Sequence, residues 1–336
     1  MAKYMAMSRR RFLQYGAVGG AALILPARLT TLDARAAMGS PSVTKFIEPL
    51  PVPPVIHAEN GWVGSITAAE STAYRFHQQL GPAKTWGYGG APYLGPTFEA
   101  RKNVPVMVEW INNLGQTFLP NDPEIMGAVL PGTDPAPIVA HLHGGFTLPQ
   151  FDGTPLQWFT NGLAATGQHF ISNFFAYGNE QRATMLWYHD HALGNTRTNV
   201  YAGLAGLYFL RDDDDTGLAD NPLGLPARPY EVPLVLQDKT FNADGTMFYP
   251  NVGLPPHTVW VPEFFGDTPV VNGKAYPFLN VEPRRYRLRI VNGSQARFYS
   301  LKFASVGGNS VLPFTVIGAE GGLLRAPVQV TKFVIA

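Results

Sequence analysis

Two short histidine pairs, His141-Leu142-His143 and His189-Asp190-His191, constrain this chain more than any other stretch. They lie 48 residues apart, from His141 to His189, and hold four of the eight histidines. Side chains at i and i+2 of a strand point to one face, about 7 Å apart along the strand. The flanking residues favour strand: Ile138-Val139 lead into the first pair, Leu186-Trp187-Tyr188 into the second. Each pair therefore predicts two imidazoles side by side. If the two strands are neighbours, four neutral imidazoles meet in one small volume. Imidazole ligates copper, zinc, iron and nickel, and copper(II) binds most strongly of the divalent series. One such pair is an ordinary strand face. Two of them, one followed by Gly144-Gly145 and the other preceded by an aromatic strand, predict a metal site.

The rest of the chain reads as all-β. Thirty-five Gly and 30 Pro, spread throughout, fit many short strands joined by turns. Strands are expected at 55–57, 74–77, 104–113, 184–191 and 203–210, with Pro105 marking an edge or a strand start. A short helix is expected at 192–201. A second run of strands begins at Tyr230 and covers 232–237, 258–261, 268–273, 286–293 and 314–318. The segments 106–113 and 286–293 both alternate and close on an Asn turn, a faint internal repeat. That predicts two copies of one sandwich, each of two antiparallel sheets packed face to face.

The first 36 residues read as a leader. Ser8-Arg9-Arg10-Arg11-Phe12-Leu13 is a twin-arginine motif, an apolar run follows from Ala17 to Leu25, and Ala34-Arg35-Ala36 offers a small-x-small cleavage site. The run is too short to span a bilayer, which needs about 20 apolar residues. This predicts export to the periplasm, the cell envelope or the medium, with no stable membrane insertion after cleavage. Six of the 25 basic and one of the 24 acidic residues lie in the leader, which leaves 19 against 23, a balance of −4. No basic stripe remains to suggest nucleic acid. The absence of cysteine excludes a blue-copper site from this chain, because that site needs a thiolate.

The remaining histidines, His57, His77, His169 and His257, stand alone and predict no ligands. Arg211-Asp212-Asp213-Asp214-Asp215-Thr216-Gly217 is expected as a solvated turn, and its spacing fits no calcium loop. A Pro/Gly linker follows, within 213–229. The expected domains are 37–212 and 230–336.

His141-Leu142-His143-Gly144-Gly145, Leu186-Trp187-Tyr188-His189-Asp190-His191 and Asn199-Val200-Tyr201-Ala202-Gly203-Leu204-Ala205-Gly206 resemble the first copper motifs of multicopper oxidases. Asp244-Gly245-Thr246-Met247-Phe248-Tyr249, Val271-Asn272-Gly273-Lys274 and 281–289 (Val-Glu-Pro-Arg-Arg-Tyr-Arg-Leu-Arg) extend the resemblance. It covers nearly all of the chain after residue 45 and points to the branch of spore-coat laccases, bilirubin oxidases and phenoxazinone synthase. It implies cupredoxin-like Greek-key sandwiches, of which the second, 230–336, is incomplete where the chain stops. It implies a type 2 copper on His141 and a type 3 pair on His143, His189 and His191. Asp152 resembles the acidic residue that assists proton delivery, although Asp152-Gly153 reads equally as a turn. The type 1 ligands are absent from this chain. The family oxidises phenols, aromatic amines or metal ions and reduces dioxygen to water. Two other readings stay open: an exported copper-binding or copper-tolerance protein, and a non-catalytic cell-envelope protein on the same fold. Only eight Met occur, four of them within residues 1–38, so no Met cluster favours copper tolerance.

Overall fold

Alternation of side chains sets the first half of the fold. In segment 106–112 every second residue is apolar or small, and in the computed structural model Val106, Val108 and Trp110 point inward while Met107 is exposed. The structure describes residues 39–250, 261, 263–308 and 310–336. The leader at 1–36, His257 and most of the expected strand 258–261 lie outside the described residues.

The strands run β1 (Val55–Ala58), β2 (Trp62–Tyr74), β3 (Ala83–Tyr88), β4 (Thr97–Arg101), β5 (Val106–Asn112), β6 (Ala140–His143), β7 (Phe174–Tyr177) and β8 (Thr184–Asp190). Helix α1 (Thr196–Ala202) and strand β9 (Ala205–Arg211) complete this half. Pro105 immediately precedes β5, which is an interior strand, so Pro105 marks a strand start. The segment 74–77 is not a strand of its own: β2 ends at Tyr74, and buried His77 lies in the turn that follows, with Nε2 3.0 Å from Thr44 O.

Two sheets result, in the orders β1-β4-β9-β8-β6 and β3-β2-β5-β7. Their aromatic faces meet in the core. Trp110 and Tyr88 of one sheet lie 5.4 and 5.6 Å from Tyr188 of the other, ring centre to ring centre. Such pairs add roughly 0.5–1.5 kcal/mol each beyond the burial of their area. The expectation of purely antiparallel sheets is corrected: β1 with β4, β4 with β9 and β2 with β5 pair in parallel. Parallel neighbours need a long crossover, and here the chain visits the opposite sheet before it returns.

The second half contains β10 (Glu231–Phe241), β11 (Met247–Phe248), β12 (Thr268–Val271), β13 (Lys274–Ala275) and β14 (Arg287–Asn292), joined around β10. β14 runs parallel to β10 as β5 runs parallel to β2, so the two segments of the faint repeat hold matching places. Three two-stranded sheets follow. They are built from β15 (Tyr299–Leu301), β16 (Phe303–Ala304), β17 (Val311–Leu312), β18 (Phe314–Ala319), β19 (Gly322–Val330) and β20 (Phe333–Ile335), paired β15-β20, β16-β17 and β18-β19. Among the described residues no helix is long and apolar enough to cross a membrane.

The acidic run departs from its expected solvated state. Asp213 and Asp214 are exposed, but Asp215 is 2% exposed and lies in a buried ion-pair network. Arg287 donates to both its oxygens at 2.7 and 2.6 Å, and Arg289 Nη2 donates at 2.8 Å. Glu231 accepts from Arg211 at 2.6 Å and from Arg289 at 2.6 Å, and Glu99 accepts from Arg211 at 2.7 Å. The network ties β4 and β9 to β10 and β14 through the turn after β9. Burial alone would raise the Asp215 carboxyl, but the Arg287 hydrogen bonds and three guanidinium charges hold it well below the usual carboxylate range.

Candidate metal centre

Strands β6 and β8 are antiparallel neighbours, with His141 opposite His189 and His143 opposite Trp187. Leu142 and Tyr188 are buried in the sandwich core. Alternation then places His141, His143, Trp187 and His189 on the opposite face. The imidazole ring centres of neighbouring pairs among His141, His143, His189 and His191 lie 5.0–5.7 Å apart. His141, His143 and His189 each offer a ring nitrogen, all within 4.8 Å of one another. His191 lies beside them, past the end of β8.

Backbone carbonyls fix two of the rings. His189 Nδ1 lies 2.8 Å from Asp190 O, and His141 Nδ1 lies 2.5 Å from Asp152 O. A carbonyl only accepts, so each Nδ1 carries the proton and Nε2 is left with its lone pair. His143 Nδ1 lies 3.2 Å from His189 Nε2. His191 Nδ1 is buried and has no hydrogen-bond partner. A donor set of converging imidazole nitrogens suits copper or zinc and does not suit magnesium or calcium, which take oxygen ligands. The residues therefore fit a copper site.

Charge arguments agree. Burial pushes the His189 imidazole down to about 3, against its bond to Asp190 O and with the neighbouring histidines adding to the shift. His143 and His191 are also lowered, first by burial and then by His141. All three are neutral at pH 7 and can act as ligands. The unfolded chain takes up these protons near pH 6.5, before the folded chain does, so acid favours unfolding. Burial raises Asp190 to about 7, which offsets one of the three below that pH. The three lowered histidines outnumber the one raised carboxyl, so the metal-free chain is expected to lose stability as the pH falls from 7 to 4. Urea midpoints across that range measure it, and a midpoint that rises on acidification would contradict the assignment.

Asp190 holds the two ligand strands together, a role not visible in the sequence. Its Oδ1 accepts from Val139 N at 2.9 Å, and its Oδ2 accepts from Ala192 N at 3.1 Å and Asn199 Nδ2 at 3.0 Å. His191 N donates to Val139 O at 2.8 Å, closing the same junction. Gly153 has φ +70°, and a Cβ there would come within 2.1 Å of Ala140 O, so the turn after Asp152 sits directly on β6. That contact brings Asp152 to His141: its Oδ1 accepts from Thr147 Oγ1 at 2.5 Å and lies 3.7 Å from His141 Nδ1. A second grouping, His57, Glu59 and Glu99, has comparable spacing. Both oxygens of Glu99 are engaged there, by Arg211 and Arg228, so it carries no metal reading.

These features define a cupredoxin-like β-sandwich with a cluster of four imidazoles that could hold a metal. The chain is similar to laccases and multicopper oxidases over about half of their length. It is 40% identical over 307 residues to a laccase of Bacillus subtilis, covering 88% of this chain and 57% of that protein. It is 40% identical over 336 residues to a laccase of Haloferax volcanii, covering 96% of this chain and 55% of that one. The crystal structure of the McoA multicopper oxidase from Aquifex aeolicus matches with a TM-score of 0.66 and 28% identity, over 87% of this chain and 55% of that one. No protein-family model matches the chain. The chain thus spans about half the length of the curated relatives it matches.

Proposed function

We propose that this chain is the N-terminal portion of a multicopper oxidase that oxidises phenols, aromatic amines or metal ions and reduces dioxygen to water. The observation that carries this reading is the convergence of four imidazoles, from β6, β8 and the residue just after β8, in a chain 40% identical to laccases. His141 would hold a type 2 copper, and His143, His189 and His191 a type 3 pair, as the family resemblance implies. Copper bound in nitrogen ligands supplies one-electron redox cycling. The chain's own residues prepare the site. The carbonyls of Asp152 and Asp190 fix which nitrogens of His141 and His189 face inward, and Asp190 holds the two strands in register. The Asp152 carboxyl stands at the His141 edge, where it can hold a proton for delivery to the site.

Titration of the metal-free chain with copper(II) against a competing chelator tests the ligand assignment. Replacing His141 and His189 together by Ala is expected to abolish tight uptake. Unchanged uptake would place the metal elsewhere.

The division into domains 37–212 and 230–336 is supported by the pairing of the named strands, β1–β9 among themselves and β10–β20 among themselves, while residues 46–50 bond across it to 276–278. Export through the twin-arginine route rests on Arg9-Arg10 and the apolar run after them. Replacing Arg9 and Arg10 by Lys is expected to leave precursor in the cytoplasm. Processed protein still reaching the envelope would end the twin-arginine assignment.

A further inference from the structure

The four imidazoles are not held alike. His141 and His189 are each fixed by a hydrogen bond from Nδ1 to a backbone carbonyl. His143 has no such anchor among the described residues: its ring nitrogen meets only His189. It also lies at the last position of β6, the edge strand of its sheet, and is exposed. An exposed ring at a strand end loses rotamer entropy when it is ordered for a metal.

One side chain is placed to limit that freedom. Trp187 is the direct cross-strand partner of His143. Its ring lies 5.5 Å from the His143 ring at 32° and 4.2 Å from the His189 ring at 35°. Trp187, His189 and His191 are alternate residues, so the indole continues the row of imidazoles and closes its open end. Directly opposed aromatic side chains on one face of a sheet interact favourably. From this geometry we infer that Trp187 is a positioning residue for His143, holding its ring against His189 so that the two present their nitrogens as a preformed pair. The inference deepens the copper reading above and rests on it for its consequence in metal binding.

Two measurements on the purified 336-residue chain test it. The first needs no metal. In the metal-free protein the indole is expected to shift the His143 ring-proton resonances, and Trp187→Ala to return them toward the position of a free imidazole. The second is copper(II) affinity against a competing chelator, with the number of coordinated nitrogens read from the electron paramagnetic resonance spectrum. Loss of a partner that orients a ligand typically weakens binding by about 10–100-fold. Trp187→Ala is expected to weaken copper within that range and to lose one nitrogen from the spectrum, while Trp187→Phe, which keeps a flat ring, stays near wild type.

Against a His143→Ala background the Trp187→Ala change is expected to add nothing, because the ring it holds is gone. Unchanged affinity in Trp187→Ala, or a full additive loss in the double variant, would overturn the inference. Wild-type chain that shows the ring shift but takes up no copper would overturn the copper reading and leave the positioning of His143 supported. Absence of the ring shift would overturn the positioning itself.

Discussion

The 336-residue chain is expected to bind at most about two copper ions, to show no intense blue colour and to leave phenols unoxidised in air. An intense blue site requires a thiolate ligand, and this sequence has no cysteine. By the family resemblance, the four histidines are half of the set that holds a three-copper cluster. The exposed side of His143 and the open edge of β6 fit a centre that is closed by further ligands. Copper analysis, the visible spectrum and oxygen uptake with a phenol check the expectation together. Supplying the remaining part of the relatives' length is expected to bring both colour and turnover. In that longer protein His143→Ala or His191→Ala should abolish turnover and leave the colour. Sustained oxidase activity from the present chain alone would refute the proposed division of ligands.

Asp215→Ala is expected to destabilise the fold by about 3–5 kcal/mol, the range found when one partner of a buried ion pair is removed. The substitution leaves Arg211, Arg287 and Arg289 buried with only Glu231 and Glu99 to balance them. An exposed carboxylate in the same run gives the control. Asp214 is exposed, and its replacement by Ala should move stability by less than about 0.5 kcal/mol. Urea unfolding of the two variants separates a buried network from a solvated acidic turn. Equal effects would show that the Asp215 pairs contribute nothing net. Because the network bridges β9 and β10, Asp215→Ala should also make the two halves unfold less cooperatively.

The residues themselves determined much of this protein. Alternation in 106–112 fixed a strand and its inward face, because a strand's period of two leaves no choice of side once one face is buried. The spacing of His141 with His143 and of His189 with His191 put both pairs on strand faces for the same reason. The helix after His191 was expected at 192–201 and forms at Thr196–Ala202. Nothing local could say that β6 pairs with β8, since pairing depends on which apolar faces meet across 40 residues of intervening chain.

Only the tertiary structure decided the rest. Asp215 reads as a surface turn residue until Arg287 and Arg289, more than 70 positions later, surround it. Asp190 reads as a spacer between two histidines until Val139 and Asn199 are seen to donate to it. Trp187 reads as a strand former until the register sets it across from His143. A sequence states what each side chain can offer, whether a nitrogen lone pair, a charge or a flat ring. Which offers are taken up is a property of distance, and distances between remote residues exist only once the sheets have closed on their core.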